Sequence, residues 1–341
     1  MLFAQISDLH IKRPGKLAYR RVDTAAYLER CVARLNSLVP RPDFVVLTGD
    51  LVDFGAREEY EHLRRLLAPL QIPYYLVMGN HDGRDALREV FPEHTYLGKP
   101  GDFVQYTAMF GPLRLVALDT QDPPNGGGRL CDERLEWLEA TLASDTATPT
   151  VIAMHHPPFA CGIEHMDIQA LDARDAAKLA TIVRRFENVE RVICGHVHRP
   201  IHTRFAGTVA SVCPSPAHQV ALDLREGGPS AWVLDPPSFQ LHRFTPETGL
   251  VSHLAFVDDA GGRTPVLRRF GRLDRLRRSC GGAVAASTSR RDEAPDWGPR
   301  VVYPRGRQIK AGGRARPGRR LHGAGARRAH RRRAGHAIGS A

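Results

Sequence analysis

Asp8-Leu9-His10 and His196-Val197-His198 each hold two metal-capable side chains two residues apart. In an extended chain, side chains at that spacing project to the same side. Gly49-Asp50, Gly79-Asn80-His81-Asp82 and His155-His156-Pro157-Pro158 add a carboxylate, an amide and further imidazoles. Glycines at 49, 79 and 195 permit a tight turn or a close backbone approach. Such polar groups are costly to bury unless something binds them. Oxygen and imidazole donors without thiolates suit Mn, Fe, Zn or Co in a catalytic centre better than a structural zinc site. A lone GD or DxH occurs by chance, and a lone buried histidine is more often a hydrogen-bonded core residue. Five such breaks in order, each after an apolar run, have the pattern of one shared site.

The apolar runs that must carry these groups predict strands over residues 2–7, 44–48, 74–78, 113–118, 150–154 and 191–194. Helical spacing is predicted between them over 23–39, 58–67, 132–142 and 172–186. This alternation predicts an α/β architecture of βα units. The polar breaks then fall at the carboxyl ends of strands, where open α/β sheets place their ligands. After residue 200 the pattern changes to strands with short turns: 201–205, 208–213, 219–224, 231–234, 239–244 and 251–256. These predict antiparallel pairing and a second sheet.

At 341 residues the chain can bury a sizeable core. Its formal charge of +11 is unevenly placed. Residues 263–341 carry 22 Lys and Arg against 4 Asp and Glu, leaving 26 against 33 in residues 1–262. A mildly acidic body argues against a duplex-binding groove, which needs Lys and Arg to neutralise phosphates. Only 11 of the 79 residues in 263–341 are Leu, Ile, Val or Phe, below what a packed core needs. Two parts are therefore expected: a domain over 1–262, and a basic Arg/Gly/Ala-rich tail over 263–341 that stays disordered. The tail holds 21 Arg and one Lys without heptad or aromatic spacing. It would meet nucleic acid only non-specifically, and a frameshifted or read-through C-terminus accounts for it as well as a selected arm does. Six scattered cysteines with no CxxC pair predict reduced thiols. The N-terminus lacks a basic n-region and a signal-length apolar run, and no apolar stretch is long enough to span a bilayer. A soluble cytoplasmic protein with no membrane contact is expected.

The motif order DxH, GD, GNHD, HHPP, GHxH resembles the calcineurin-like metallophosphoesterases. In particular it is similar to the bacterial branch of class III cyclic-nucleotide phosphodiesterases and glycerophosphodiesterases. The resemblance covers about residues 1–257, including "ARLNSLVPRPDFVVLTGDLVDFG", "REEYEHLRRLL" and "AHQVALDL". It implies a four-layer α-β-β-α sandwich, two mixed sheets flanked by helices, with two divalent metal ions at one end. Carried over residue by residue, Asp8, His10 and His198 would hold one ion, and Asn80, His155 and His196 the other. Asp50 would bridge both. His156 would stand behind the ligands, because the family pattern is His-x-Pro. His81 would face the phosphate as hydrogen-bond donor or general acid, and His218 would line the substrate pocket. Asp82 either orients its neighbours or caps the next helix.

The activity so implied is hydrolysis of a small phosphodiester, such as a 3',5'-cyclic nucleotide or a glycerophosphodiester, by a metal-bridging hydroxide. Two ions ~3.5–4 Å apart would acidify the water and clamp the phosphate. With Asp8, Asp50 and hydroxide they leave a charge of roughly +1, which a diester monoanion neutralises and a monoester dianion overshoots. Rival readings are a phosphomonoesterase or nuclease on the same centre, and a non-catalytic scaffold of this fold. The scaffold would be expected to lose ligands, and here all are present. Loops at 12–20, 121–129, 159–169 and 214–218 are expected to shape the pocket. Self-association into a homo-oligomer stays open.

Overall fold

The computed structural model describes residues 1–258. The boundary expected near residue 262 and the basic tail over 263–341 lie outside the described residues. The first half runs β1 (Leu2–Ile6), α1 (Thr24–Ser37), β2 (Phe44–Thr48), α2 (Arg57–Leu67), β3 (Tyr74–Val77), α3 (Arg84–Val90), β4 (Tyr106–Phe110) and β5 (Leu113–Ala117). It continues with α4 (Asp132–Ala143), β6 (Thr150–Ala153), α5 (Glu164–Asp167), α6 (Ala173–Val183) and β7 (Val189–Cys194). Six more strands follow: β8 (Ile201–Phe205), β9 (Thr208–Val212), β10 (Gln219–Val220), β11 (Trp232–Val233), β12 (Ser238–Thr245) and β13 (Gly249–Phe256).

Local chemistry sets the helix starts. The Asp23 carboxylate accepts from the Ala26 amide at the head of α1, and Asp172 does the same for Arg174 and Asp175 at α6. Glu59 reaches back to the amides of Phe54 and Ala56 at the start of α2. In α2, Tyr60, Leu63 and Leu67 recur at helical spacing and are fully buried. The strands β2, β5 and β6 are buried on both faces, as their largely apolar sequences require; the one charge among them, Arg114 of β5, is satisfied by the Thr150 hydroxyl and the Thr141 and Asp145 carbonyls.

Two mixed sheets result, in the orders β13-β12-β1-β2-β3 and β4-β5-β6-β7-β9-β8, with β10-β11 a separate small hairpin. On β5, Leu115 and Ala117 join the core shared with the first sheet and helices α1, α2 and α3. Val116, and Leu118 just beyond the strand, turn the other way, into the cluster with Leu135 and Leu138 of α4 and Leu179 and Val183 of α6. Helices therefore cover the outer face of each sheet, and the sheets pack on one another.

Apart from the β10-β11 hairpin, the strands after residue 200 do not build a sheet of their own, which corrects the expectation from their spacing. β12 pairs antiparallel with β1, and β9 pairs parallel with β7, so they extend the two sheets begun by the βα units. Short turns fix hairpin partners, but they leave open which distant strand a hairpin joins. The strand expected over 219–224 is only Gln219–Val220. Helix α3 and strand β4 carry too weak a repeat to be read from sequence alone. Among the described residues no helix is long and apolar enough to cross a membrane.

Candidate metal centre

The strands β1, β2, β3, β6 and β7 each run into one of the polar breaks, and the loops beyond are stitched to one another. Asp8 and His10 donate backbone N–H bonds to the carbonyls of Gly49 and Asp50, and Gly195 donates to the carbonyl of His155. A Cβ at Gly79 would collide with the Asp50 amide, and one at Gly195 with the Ser7 hydroxyl and Thr48 carbonyl. Glycine there lets the loops close to contact distance. Asp8, His10, Asp50, His196 and His198 all adopt left-handed φ, between 45° and 74°. For residues other than glycine each such conformation costs on the order of 1 kcal/mol or more. Five at one place is strain concentrated at a site.

The turns aim the side chains at a common centre. His10 Nε2 lies 3.2 Å from His198 Nε2 and 3.6 Å from Asp50 Oδ2. His155 Nε2 lies 3.4 Å from Asp50 Oδ2, 3.1 Å from Asn80 Oδ1 and 3.3 Å from His196 Nδ1. Asp8 Oδ1 accepts the His196 amide at 2.9 Å and stands 3.5 Å from His198 Nε2. Asp50 is thus the one carboxylate between the two groups of rings. All these residues except Asn80 are buried.

In three of the four rings the outward-turned nitrogen is already committed. His155 Nδ1 donates to the Thr48 carbonyl and His198 Nδ1 to the His218 carbonyl, while His10 Nδ1 faces Asp53 Oδ1 at 3.2 Å. In their neutral form, rings so tethered present lone pairs at the centre, where they face one another and two carboxylates. Asp8 Oδ2 and His196 Nε2 are buried without a hydrogen-bond partner. A converging set of lone pairs and anions in a dry place requires cations. The donor set, imidazole with carboxylate and one amide oxygen, fits divalent metal ions.

Electrostatics report the same crowding. Burial pushes Asp8 up to about 6, and Asp50 adds to the rise while His155 opposes it. Burial would also raise Asp50, but His155, His81 and His10 hold it well below the carboxylate range. Against a burial penalty, the Asp50 charge and hydrogen bond lift His155 to about 9. Burial and the neighbouring His155 charge press His196 down to about 3.

Residues behind the ligands hold them in place. Both ring nitrogens of His156 are engaged, with the Thr120 hydroxyl at 2.8 Å and the Gly126 carbonyl at 3.1 Å. That leaves His155 as the inward-facing ring of the pair. Asp82 does not cap α3, whose N-cap is Gly83. Its carboxylate instead accepts from the amides of Leu51, Val52 and Gly79 and from the Tyr60 hydroxyl, tying the two loops together. Gln121 Nε2 donates to the carbonyls of Gly79 and Asp82 from the far side.

Asp53 is the site residue that the motifs missed. Its carboxylate orients His10 and pairs with Lys12, and its backbone carbonyl accepts His81 Nδ1 at 2.8 Å. Those hydrogen bonds, with burial opposing, hold it down at about 2. Its repeat distance from Asp50, in Gly49-Asp50-Leu51-Val52-Asp53, was the available signal. With Nδ1 fixed, His81 turns Nε2 away from Asp53. His81, His218, Asp50, Asn80 and His196 border a cavity of about 370 Å³. Its far side comes from Tyr19, Met166, Gln169 and Trp232, so three of the four loops expected to shape the pocket do so. The ring of His218 has no hydrogen-bond partner on either nitrogen, and burial lowers it to about 3, which keeps it neutral.

Comparison with known proteins places this geometry. The calcineurin-like phosphoesterase family model matches residues 1–200. A probable glycerophosphodiester phosphodiesterase from Arcobacter nitrofigilis is 38% identical over 273 residues, 80% of this chain and 99% of that one. A probable cyclic nucleotide phosphodiesterase from Rhodopseudomonas palustris is 37% identical over 245 residues, 70% of this chain and 86% of that one. Among solved structures, a dimetal phosphatase from Danio rerio shares the fold with a TM-score of 0.55 at 16% identity, covering 76% of this chain and 99% of that one.

Proposed function

The chain belongs to the calcineurin-like phosphoesterase family, and on that premise we propose that it is a metal-dependent phosphodiesterase acting on a small diester. The observation that carries this reading is Asp50 flanked by two sets of inward-turned imidazoles, His10 with His198 and His155 with His196. Asp8, His10 and His198 would hold one divalent ion, Asn80, His155 and His196 a second, and Asp50 would serve both. Such ions supply Lewis acidity toward phosphoryl oxygens and bring the pKa of water near neutrality.

The protein's own groups do the rest. His81, anchored at Nδ1 by the Asp53 carbonyl, offers Nε2 to the substrate. In its protonated form that nitrogen donates to a phosphoryl oxygen or to the departing alkoxide. His218, held neutral, offers a ring N–H without neutralising substrate charge. Among the described residues lining the cavity there is no Lys or Arg. Apart from His81 in its protonated form, no cationic side chain there would meet further phosphates, which supports a small diester over a polynucleotide. The retained ligands and His81 weigh against a scaffold. The free cysteines Cys31, Cys131, Cys161, Cys194 and Cys213 support a reducing, cytoplasmic setting.

The deciding experiment compares bis(p-nitrophenyl) phosphate with p-nitrophenyl phosphate, after chelation and after reconstitution with Mn, Fe, Zn or Co. Diester turnover should vanish on chelation, return with metal, and exceed monoester turnover. Asp50→Ala should be the most damaging single change, because it removes a group shared by both sides. Full activity in chelated protein would end the reading.

A further inference from the structure

Tyr19 lies on the rim of the cavity in an unusual state. It is 57% exposed although it is a large aromatic residue, and both it and Arg20 take left-handed φ, 49° and 58°. The loop is held there by a closed pair of backbone bonds between Ala18 and Val22, each 2.9 Å. Consecutive left-handed residues other than glycine are strained, and strain of this kind persists only where the surroundings enforce it. Here the surroundings are a small apolar cluster of Ala18, Val22 and Ala217 against Tyr27 and Trp232.

The enforced position brings Tyr19 parallel to Trp232 of β11, with ring centroids 5.4 Å apart and planes at 21°. His218 meets both rings edge-on, at 81° to each. A neutral imidazole beside His10 and His198 thus leads from the metal centre to an aromatic wall. Building on the phosphodiesterase reading, we infer that Tyr19 and Trp232 are specificity-determining residues that stack a planar heteroaromatic group of the diester, such as a nucleobase.

Two features separate this from a box for a quaternary ammonium group. The two large rings are nearly parallel, whereas enclosing a cation needs faces turned toward a common point. Among the described residues lining the cavity, Asp50 is the sole carboxylate, and it belongs to the metal centre. The same lining includes Gln169 and Ser230, hydrogen-bonding groups suited to the edge of a base.

The test uses the full chain reconstituted with Mn, in wild-type, Trp232→Leu, Trp232→Phe and Tyr19→Leu forms. One measurement is the ratio of kcat/KM for cyclic AMP to that for glycerophosphoethanolamine and for glycerophosphocholine. The other is equilibrium binding of AMP against glycerol phosphate, which needs no turnover. Base stacking on an aromatic side chain is worth about tenfold or more in affinity. Trp232→Leu and Tyr19→Leu should therefore lower the cyclic AMP ratio and AMP binding about tenfold, and Trp232→Phe should recover most of the loss. Equal losses on all substrates would overturn the wall as a specificity element, as would a loss confined to glycerophosphocholine. A protein that binds AMP through Trp232 yet cleaves no diester would refute the activity and leave the wall standing. Diester cleavage with the ratio unchanged in Trp232→Leu would do the reverse.

Discussion

The Nε2 atoms of His10 and His198 face each other at 3.2 Å, while their Nδ1 atoms are turned to Asp53 and to the His218 carbonyl. Two neutral rings so tethered put lone pair against lone pair, so either a proton or a metal ion must lie between them. His155 Nε2 and His196 Nδ1 approach to 3.3 Å as well, but only His155 is tethered at its other nitrogen; His196 Nε2 has no partner, so a proton shared across this pair is a plain hydrogen bond.

Protons and metal ions should therefore compete. The Asp50 carboxylate raises His155 to about 9 against its burial, so at neutral pH the ring carries a proton that it must give up to ligate. Metal binding near pH 7 should release about one proton or more per chain, and affinity should fall as pH falls. Calorimetric titration in buffers of different ionisation enthalpy measures this directly. Binding without proton release would contradict the assignment of His155.

His81 is expected to act on substrate without holding a metal ion. His81→Ala should lower kcat by about 10²–10⁴, with two ions per chain still found by metal analysis. Loss of one ion in that variant would make His81 a ligand.

Asp53 should tune metal affinity through His10. Outer partners of metal-ligating histidines are typically worth about 10–100-fold in affinity, so Asp53→Ala should weaken binding by that order. Asp53→Asn keeps an acceptor for His10 Nδ1 and should recover part of the loss. The Asp53 carbonyl that holds His81 survives both changes, so metal titration separates the two roles. Unchanged affinity in Asp53→Ala would rule this out.

Far from the site, His242 is buried between Gln5 Oε1 at 3.1 Å and the Ser252 hydroxyl at 2.7 Å. Burial first, then Arg191, presses it down to about 3. A histidine lowered in the folded state stabilises fully above its unfolded pKa of about 6.5. That contribution drains away as pH falls from there toward 3, at up to about 1.4 kcal/mol per pH unit. Urea unfolding at pH 7 and pH 5 should show wild type losing about 2 kcal/mol more than His242→Gln over that interval. Parallel losses would mean that His242 protonates freely in the fold.

The basic tail is proposed to be dispensable. All candidate ligands lie between Asp8 and His198, and β13 ends at Phe256. A chain ending near Gly262 should keep its metal ions, its thermal stability and its diesterase activity. It should lose salt-sensitive nucleic-acid binding, since 22 basic residues leave with only 4 acidic ones. Metal-free or insoluble protein on truncation would place the tail inside the folded unit.

The convergence of the candidate ligands could be read from sequence because each follows an apolar strand, and strand ends in an α/β sheet converge in space. The extended geometry expected from the spacing of Asp8 with His10, and of His196 with His198, does not form: all four take left-handed φ, and turns aim their side chains instead. Hydrogen bonding across the chain was not local. In isolation Asp82 reads equally as a helix cap or as an orienting group, and only the approach of residues 49–52 to residues 79–83 makes its carboxylate a clamp. Asp53 had no motif of its own, because its task depends on His10 and His81 arriving from two other loops. Tyr19 and Trp232 are 213 residues apart and lie in a loop and a two-residue strand. No periodicity joins them; tertiary packing of Ala18, Val22 and Ala217 does. The same holds for the late strands, whose sequences specify extended hairpins. Whether a hairpin edge finds β1 or β7 depends on which buried faces remain to be covered, and that is decided only when the whole core assembles.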